Sequence, residues 1–190
     1  MGTLISTILE AFGLSASAGL NAYIPLLVVS LLAKFTNLID LTSPWDALTS
    51  WWTIGLLTVH CLIEAVADKI PAVDHVNDAV QTFIRPTAGA VLFAASAGSA
   101  TNVNPVLLMI CGLLVAGSVH TVKSVLVRPA VTAATAGTGD PVVSFAEDVT
   151  AGFISVLSVV LPIVTLIVII ILVFVIASWI RRRKRARAEL

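Results

Sequence analysis

The sequence predicts an all-α protein: a polytopic transmembrane helical bundle of short paired or broken helices, with six or seven membrane segments and a parallel internal repeat. Three observations carry the prediction. Of the 190 residues, 58% are hydrophobic and 12% charged, where soluble domains have roughly half and about a quarter. Residues 153–180 hold no charge and run straight into Arg181, Arg182, Arg183, Lys184, Arg185 and Arg187. The same punctuation also breaks the apolar runs three times: Ser17-Ala18-Gly19 to Asn21 and Pro25, Ser96-Ala97-Gly98 to Asn102, Asn104 and Pro105, and Thr135-Ala136-Gly137 to Asp140 and Pro141. Glycine past a helix end, an Asn or Asp cap and proline in the first turn stop one helix and start another.

The apolar runs cover 4–18, 22–33, 51–67, 87–97, 105–119, 129–136 and 152–180. Several fall short of the about 17 to 25 residues that one crossing needs, so pairs of them are expected to form hairpins that partly re-enter. Trp45, Trp51 and Trp52 mark a membrane interface ahead of the third run. Residues 68–85 are the long polar stretch of the body, and Val73, Val76, Val80, Phe83 and Ile84 recur there at helical spacing. That pattern predicts an amphipathic helix lying on the cytoplasmic-side interface. Next come Phe83-Ile84-Arg85-Pro86, leading to Ser96-Ala97-Gly98, and Leu126-Val127-Arg128-Pro129, leading to Thr135-Ala136-Gly137. With both arginines on one side, the copies read as parallel repeats. The last run would be roughly 42 Å long as a helix, so it must tilt, kink near Pro162 or protrude.

The organisation expected is one helical domain over 1–180 and a basic tail over 181–190. Six of the eleven basic residues sit in that tail, leaving five against ten acidic residues in the body. The positive-inside rule puts the tail, Lys69, Arg85, Lys123 and Arg128 on the cytoplasmic side of a cell membrane (inner or plasma), with the joint after Gly137 and the N-terminus outside. A basic run at a span end anchors topology and touches anionic lipid; nucleic acid is not an expected partner. Cys61 and Cys111 lack C-x-x-C spacing. Met1-Gly2-Thr3-Leu4-Ile5-Ser6 fits a myristoylation pattern and Ser15-Ala16-Ser17-Ala18 a cleavage site, but no basic n-region precedes the run and Glu10 interrupts it.

The run from Glu64-Ala65-Val66-Ala67-Asp68-Lys69-Ile70-Pro71 through Asp78-Ala79-Val80-Gln81-Thr82-Phe83-Ile84-Arg85-Pro86, together with Ser17-Ala18-Gly19-Leu20-Asn21-Ala22-Tyr23-Ile24-Pro25-Leu26, resembles a bacterial membrane family catalogued as domain of unknown function 4126. The resemblance covers nearly the whole chain before the tail. It implies a small multi-pass membrane protein and brings no catalytic or binding residue with it.

Chemistry-bearing residues are few. His60, Glu64 and Asp68 share one face of the third helix at spacing i, i+4, i+8. A helix entering at Trp51 puts His60 roughly 13 Å deep, where ionisable groups face a bundle interior or a watery cavity. The pair reads as a polar gate or proton site, or as a hydrogen-bonded structural link. Asn21, Asn102, Asn104 and Asp140 are caps that could also line a polar pathway. Arg85 and Arg128 each precede a proline and could hold an anionic headgroup or substrate, or simply anchor the interface. Glu147 and Asp148 are expected at the outer interface, or along a cavity if the segment from Pro141 onward is buried. No H-E-x-x-H, Cys/His cluster, G-x-S-x-G or phosphate loop occurs, so neither a metal, a cofactor nor an enzymatic activity is expected.

These readings converge on a small-solute or ion permease whose polar pathway lies at the broken helices. The alternative is a non-transporting scaffold that binds lipid or a partner. Beyond the lipid bilayer itself, the partners expected are a small solute or ion, anionic lipid at the tail and a second copy of the chain through its Gly- and Ala-rich faces.

Overall fold

The computed structural model describes residues 2–67, 71–98 and 100–171, with 174, 175 and 178. Every regular element among them is helical: α1 Gly2–Leu20, α2 Tyr23–Phe35, α3 Trp51–Ala67, α4 Pro71–Gly98, α5 Pro105–Val122, α6 Arg128–Thr135, α7 Asp140–Val160 and α8 Pro162–Ile171. A 3-10 turn, Trp45–Thr49, precedes α3, and a π turn, Lys123–Val127, joins α5 to α6.

The local chemistry of the breaks follows the residues. At the first, the Asn21 side-chain oxygen accepts the N–H groups of Tyr23 and Ile24 and so caps α2. At the second, Gly98 closes α4, the Asn104 side chain accepts from Val106 N, and Pro105 takes the first helical position. At the third, Ala136 and Gly137 adopt positive φ (51° and 84°), and Gly137 N returns to Thr132 O, closing α6 with a left-handed cap. Pro129 has no N–H to continue the ladder. The preceding turn widens, with Arg128 N reaching Lys123 O five residues back.

The helices α1, α4, α5 and α7 make the centre. Phe12 meets Phe93 edge-on at 5.0 Å and the Ser15 hydroxyl donates to Gly89 O, so α1 and α4 are antiparallel. Gly89 and Gly112 cross so closely that a Cβ on Gly112 would strike the Gly89 carbonyl, which brings α4 against an antiparallel α5. Ser17 bonds Ala151 O and Ser155 at 2.7 Å each, tying α1 to an antiparallel α7. The small residues permit this backbone-to-backbone approach, and the serines satisfy themselves across it. Tyr23 against His60 and Phe35 against Trp51 set α2 antiparallel to α3 on the flank.

The chain turns again at Leu161. Ser158 and Thr165 both stand against Gly13, and Ile169 lines the same recess as Ile154. A straight helix would carry residue 169 roughly 22 Å beyond residue 154. The uncharged run expected to tilt or kink near Pro162 is therefore broken into α7 and α8.

Three expectations are corrected. The stretch from Pro71 to Arg85, expected as a helix of its own, is continuous with the rest of α4, with Pro86 inside the helix. Residues 105–135 form one rod through the π turn, so the Gly137 joint lies at the end opposite the Gly98 joint. Because α4 runs antiparallel to that rod, the segments after Arg85-Pro86 and Arg128-Pro129 point in opposite directions and the parallel repeat is not a feature of the fold. Two stretches, Pro105–Thr135 and Asp140–Val160, are long and apolar enough to cross a membrane, and α1, α2, α3 and α8 contribute shorter apolar helices. The outer faces carry exposed Leu, Ile, Val and Phe, among them Leu62, Leu114, Phe145 and Ile163.

Candidate functional site

The ends of α1 and α3, the middle of α4, the end of α5 and the first half of α7 meet at one level, and there the interior becomes polar. Counting 1.5 Å per residue from Trp51 to Glu64, or from Gly98 to Arg85, that level lies roughly 20 Å in from the tryptophan-bearing end. Asn21, Glu64, Gln81, Arg85, His120 and Lys123 are all at most 4% exposed.

Asn21 is its centre. Since the side-chain oxygen is committed to the backbone of α2, the amide nitrogen must face the other way. Nδ2 donates to Glu64 Oε2 at 2.8 Å and to Asp148 Oδ1 at 2.9 Å. Two hydrogens on one planar nitrogen hold these oxygens about 5 Å apart. Glu64 Oε1 in turn pairs with Arg85 Nη2 at 3.2 Å, Arg85 Nη1 lies 3.3 Å from His120 Nδ1, and His120 Nε2 lies 3.2 Å from the Thr82 hydroxyl. A second group adjoins the first: Lys123 Nζ donates to Leu20 O and pairs with Glu147, both at 2.8 Å, and Arg128 Nη2 reaches Ser144 at 2.9 Å and Glu147 at 3.4 Å. Charges buried in such a layer persist because each is paired or hydrogen-bonded. In this layer, among the described residues, Gln81 Oε1 and Arg85 Nε are buried with no hydrogen-bond partner. They lie one helical turn apart on α4 and could accept from and donate to a polar guest.

Beside Lys123 and Glu147, a recess of about 420 Å³ opens between α1, α5 and α7; Ala16, Leu20, Val119, Val122 and Ile154 make most of its apolar wall. Among the described residues no group of three or more His, Cys, Asp or Glu side chains is placed to hold a metal ion.

Of the residues singled out from the sequence, the structure gathers Asn21, Glu64 and Arg85 in this layer, with Arg128 at its edge. It does not bring the others there. His60 is half-buried, with Nδ1 on Leu56 O at 2.8 Å and its ring 5.1 Å from that of Tyr23, and it makes no bond to Glu64. Asn102 and Asn104 are exposed on the far joint. Asp140 opens α7 as its first residue instead of capping it and accepts from the Thr132 hydroxyl at 2.9 Å. Asp68 lies outside the described residues, as does the basic tail. The three joints therefore do not converge: only the first lies in the polar layer.

Sequence reasoning does not name Gln81, Thr82, His120 and Lys123 as members, and it places Glu147 and Asp148 along a cavity only as the alternative to the outer interface. Lys123, expected at the cytoplasmic rim, pairs with Glu147, and Asp148 meets Asn21, so all three stand at this level. A signal was present: Gly112, Ala116, His120 and Lys123 recur at helical spacing, and the first two are small enough to mark the face that packs on α4.

Fold and site together define an all-helical bundle with an apolar exterior and a polar layer within it. The family model described as domain of unknown function (DUF4126) matches residues 8–182, and the chain belongs to that family. No curated protein and no solved structure matches it.

Proposed function

We propose that the protein is a multi-pass membrane protein of the permease type, passing a small solute or ion through the polar layer. The observation that carries this reading is the position of the α1–α2 bend. A helix break with a buried Asn21 at its tip, bonded to two carboxylates roughly 20 Å from the nearest end, matches the way transporters place discontinuous helices around a midplane site. Intramembrane ionisable groups are costly to keep, and where they occur they mark ion or substrate routes. Glu64, Arg85 and His120 form the gate in this reading, and the unpaired atoms of Gln81 and Arg85 face the guest. The exposed apolar faces would lie in lipid, with the tryptophan end outside and the basic tail in the cytoplasm. The test is flux of candidate ions and small metabolites into liposomes holding the purified protein. Loss of a flux in Glu64→Gln supports the reading, and equal flux in both proteins counts against it.

A second reading has its own observation. The recess beside Lys123 and Glu147 is apolar along its length and polar at one wall, the shape that an amphiphile with a long apolar chain would fill. In that case the protein binds lipid without moving a solute, and lipid retained through purification falls when Ala146→Trp blocks the recess.

A further inference from the structure

We propose that Glu64 and Asp148 form a single proton-binding site clamped by Asn21, which deepens the permease reading by naming its coupling ion. The geometry comes from three elements. Asn21 at the α1–α2 bend has its amide orientation fixed by Tyr23 N and Ile24 N. Glu64 comes from α3 and Asp148 from α7, and both accept from the same nitrogen. Two carboxylates about 5 Å apart, one buried and one half-buried, repel each other, and one proton removes the repulsion. The clamp survives that change, because a carboxyl C=O accepts an amide hydrogen as a carboxylate does. Proton gain and loss at the pair therefore alters charge at the bend without dismantling it, while α1, α3 and α7 stay tied to one atom.

The charged and titratable neighbours fit this use. Arg85 on α4 holds the far oxygen of Glu64, so that the proton and the guanidinium act on opposite sides of one carboxylate. His120 on α5 lies behind Arg85. Cys61 stands one helical turn before Glu64 on α3, and Tyr23 follows Asn21 at the start of α2. On α7 the neighbouring Glu147 is held by Lys123 from the π turn and Arg128 from α6.

The experiment is infrared difference spectroscopy of the full chain in lipid, with Glu10→Gln as the background so that the separate, partly buried carboxyl on α1 is silent, with no gradient imposed, as pH falls from mildly alkaline to mildly acidic. A protonated-carboxyl C=O band should grow in that background, vanish over that range when either Glu64→Gln or Asp148→Asn is added, and shift in frequency when Asn21→Ala is added. Asp140→Asn should leave it unchanged. A band that survives in either Glu64→Gln or Asp148→Asn overturns the shared site. Asp148→Asn leaves the Arg85 pair intact and decides the matter if Glu64→Gln does not fold. Flux is not read here, so the two ideas separate: no band alongside a Glu64-dependent flux overturns the proton site alone, and a band without any flux overturns the permease alone.

Discussion

Arg85 Nη2 stands 3.2 Å from Glu64 Oε1, with the two side chains 1% and 2% exposed. An ion pair this deep exchanges hydration for a few fixed partners, so removing one member leaves the charge of the other uncompensated. Arg85→Gln should cost about 3 to 5 kcal/mol. The double variant Glu64→Gln, Arg85→Gln should recover much of the loss. Thermal unfolding of the four proteins in detergent completes the cycle, and purely additive losses would show that the pair is not coupled.

Asn21 has two separable duties, capping α2 and bridging two carboxylates. The cap alone is worth about 0.5 to 2 kcal/mol. Asn21→Ala should lose more than that, because two charge-assisted hydrogen bonds go with it. Asn21→Ser keeps a cap acceptor but cannot donate to both acids, and its stability should fall between native and Asn21→Ala.

The α4–α5 crossing depends on Gly89 and Gly112. Gly112→Val would push against the Gly89 carbonyl and Phe93 and should destabilise by at least about 1 to 3 kcal/mol. Gly55 is the internal control: nothing lies within 4 Å of where its Cβ would be, so Gly55→Ala should be neutral or gain up to about 1 kcal/mol from helix propensity.

Lys123 ties the last carbonyls of α1 to α7, bonding Leu20 O and Glu147. In Lys123→Met the Glu147 carboxylate keeps Arg128, so the loss of melting temperature should be smaller than in Arg85→Gln. An equal or larger loss would mean that Arg128 does not hold Glu147 alone.

The helical class and its breaks were legible because they are written locally. Gly98 with Asn104 and Pro105, and Ala136 with Gly137, carry their own backbone preferences, and the structure uses them as such. What happens between breaks is not local. A π turn carries the chain past Pro129, where the sequence suggested a separate helix, and this one difference moves the Gly137 joint to the opposite end and cancels the parallel repeat. The site followed the same rule. Asn21, Glu64 and Arg85 stood out because polar residues in apolar runs are conspicuous. His60 did too, yet one helical turn from Glu64 it turns toward Tyr23, because a shared helix face spans several neighbours. Glu147 and Asp148 looked like the solvated start of a span. Their partial burial depends on the chain folding back from α6 through Ala136, and no pattern within α7 records that.

The central claim is that the layer around Asn21 and Glu64 is a passage and more than a brace. Flux into liposomes, measured side by side for native protein, Glu64→Gln, Asp148→Asn and the rim variants Asn104→Ala and Asp140→Asn, tests it most directly. The account predicts a flux that the two layer variants abolish and the two rim variants retain. A flux retained in the layer variants, or lost equally in all four, would contradict it.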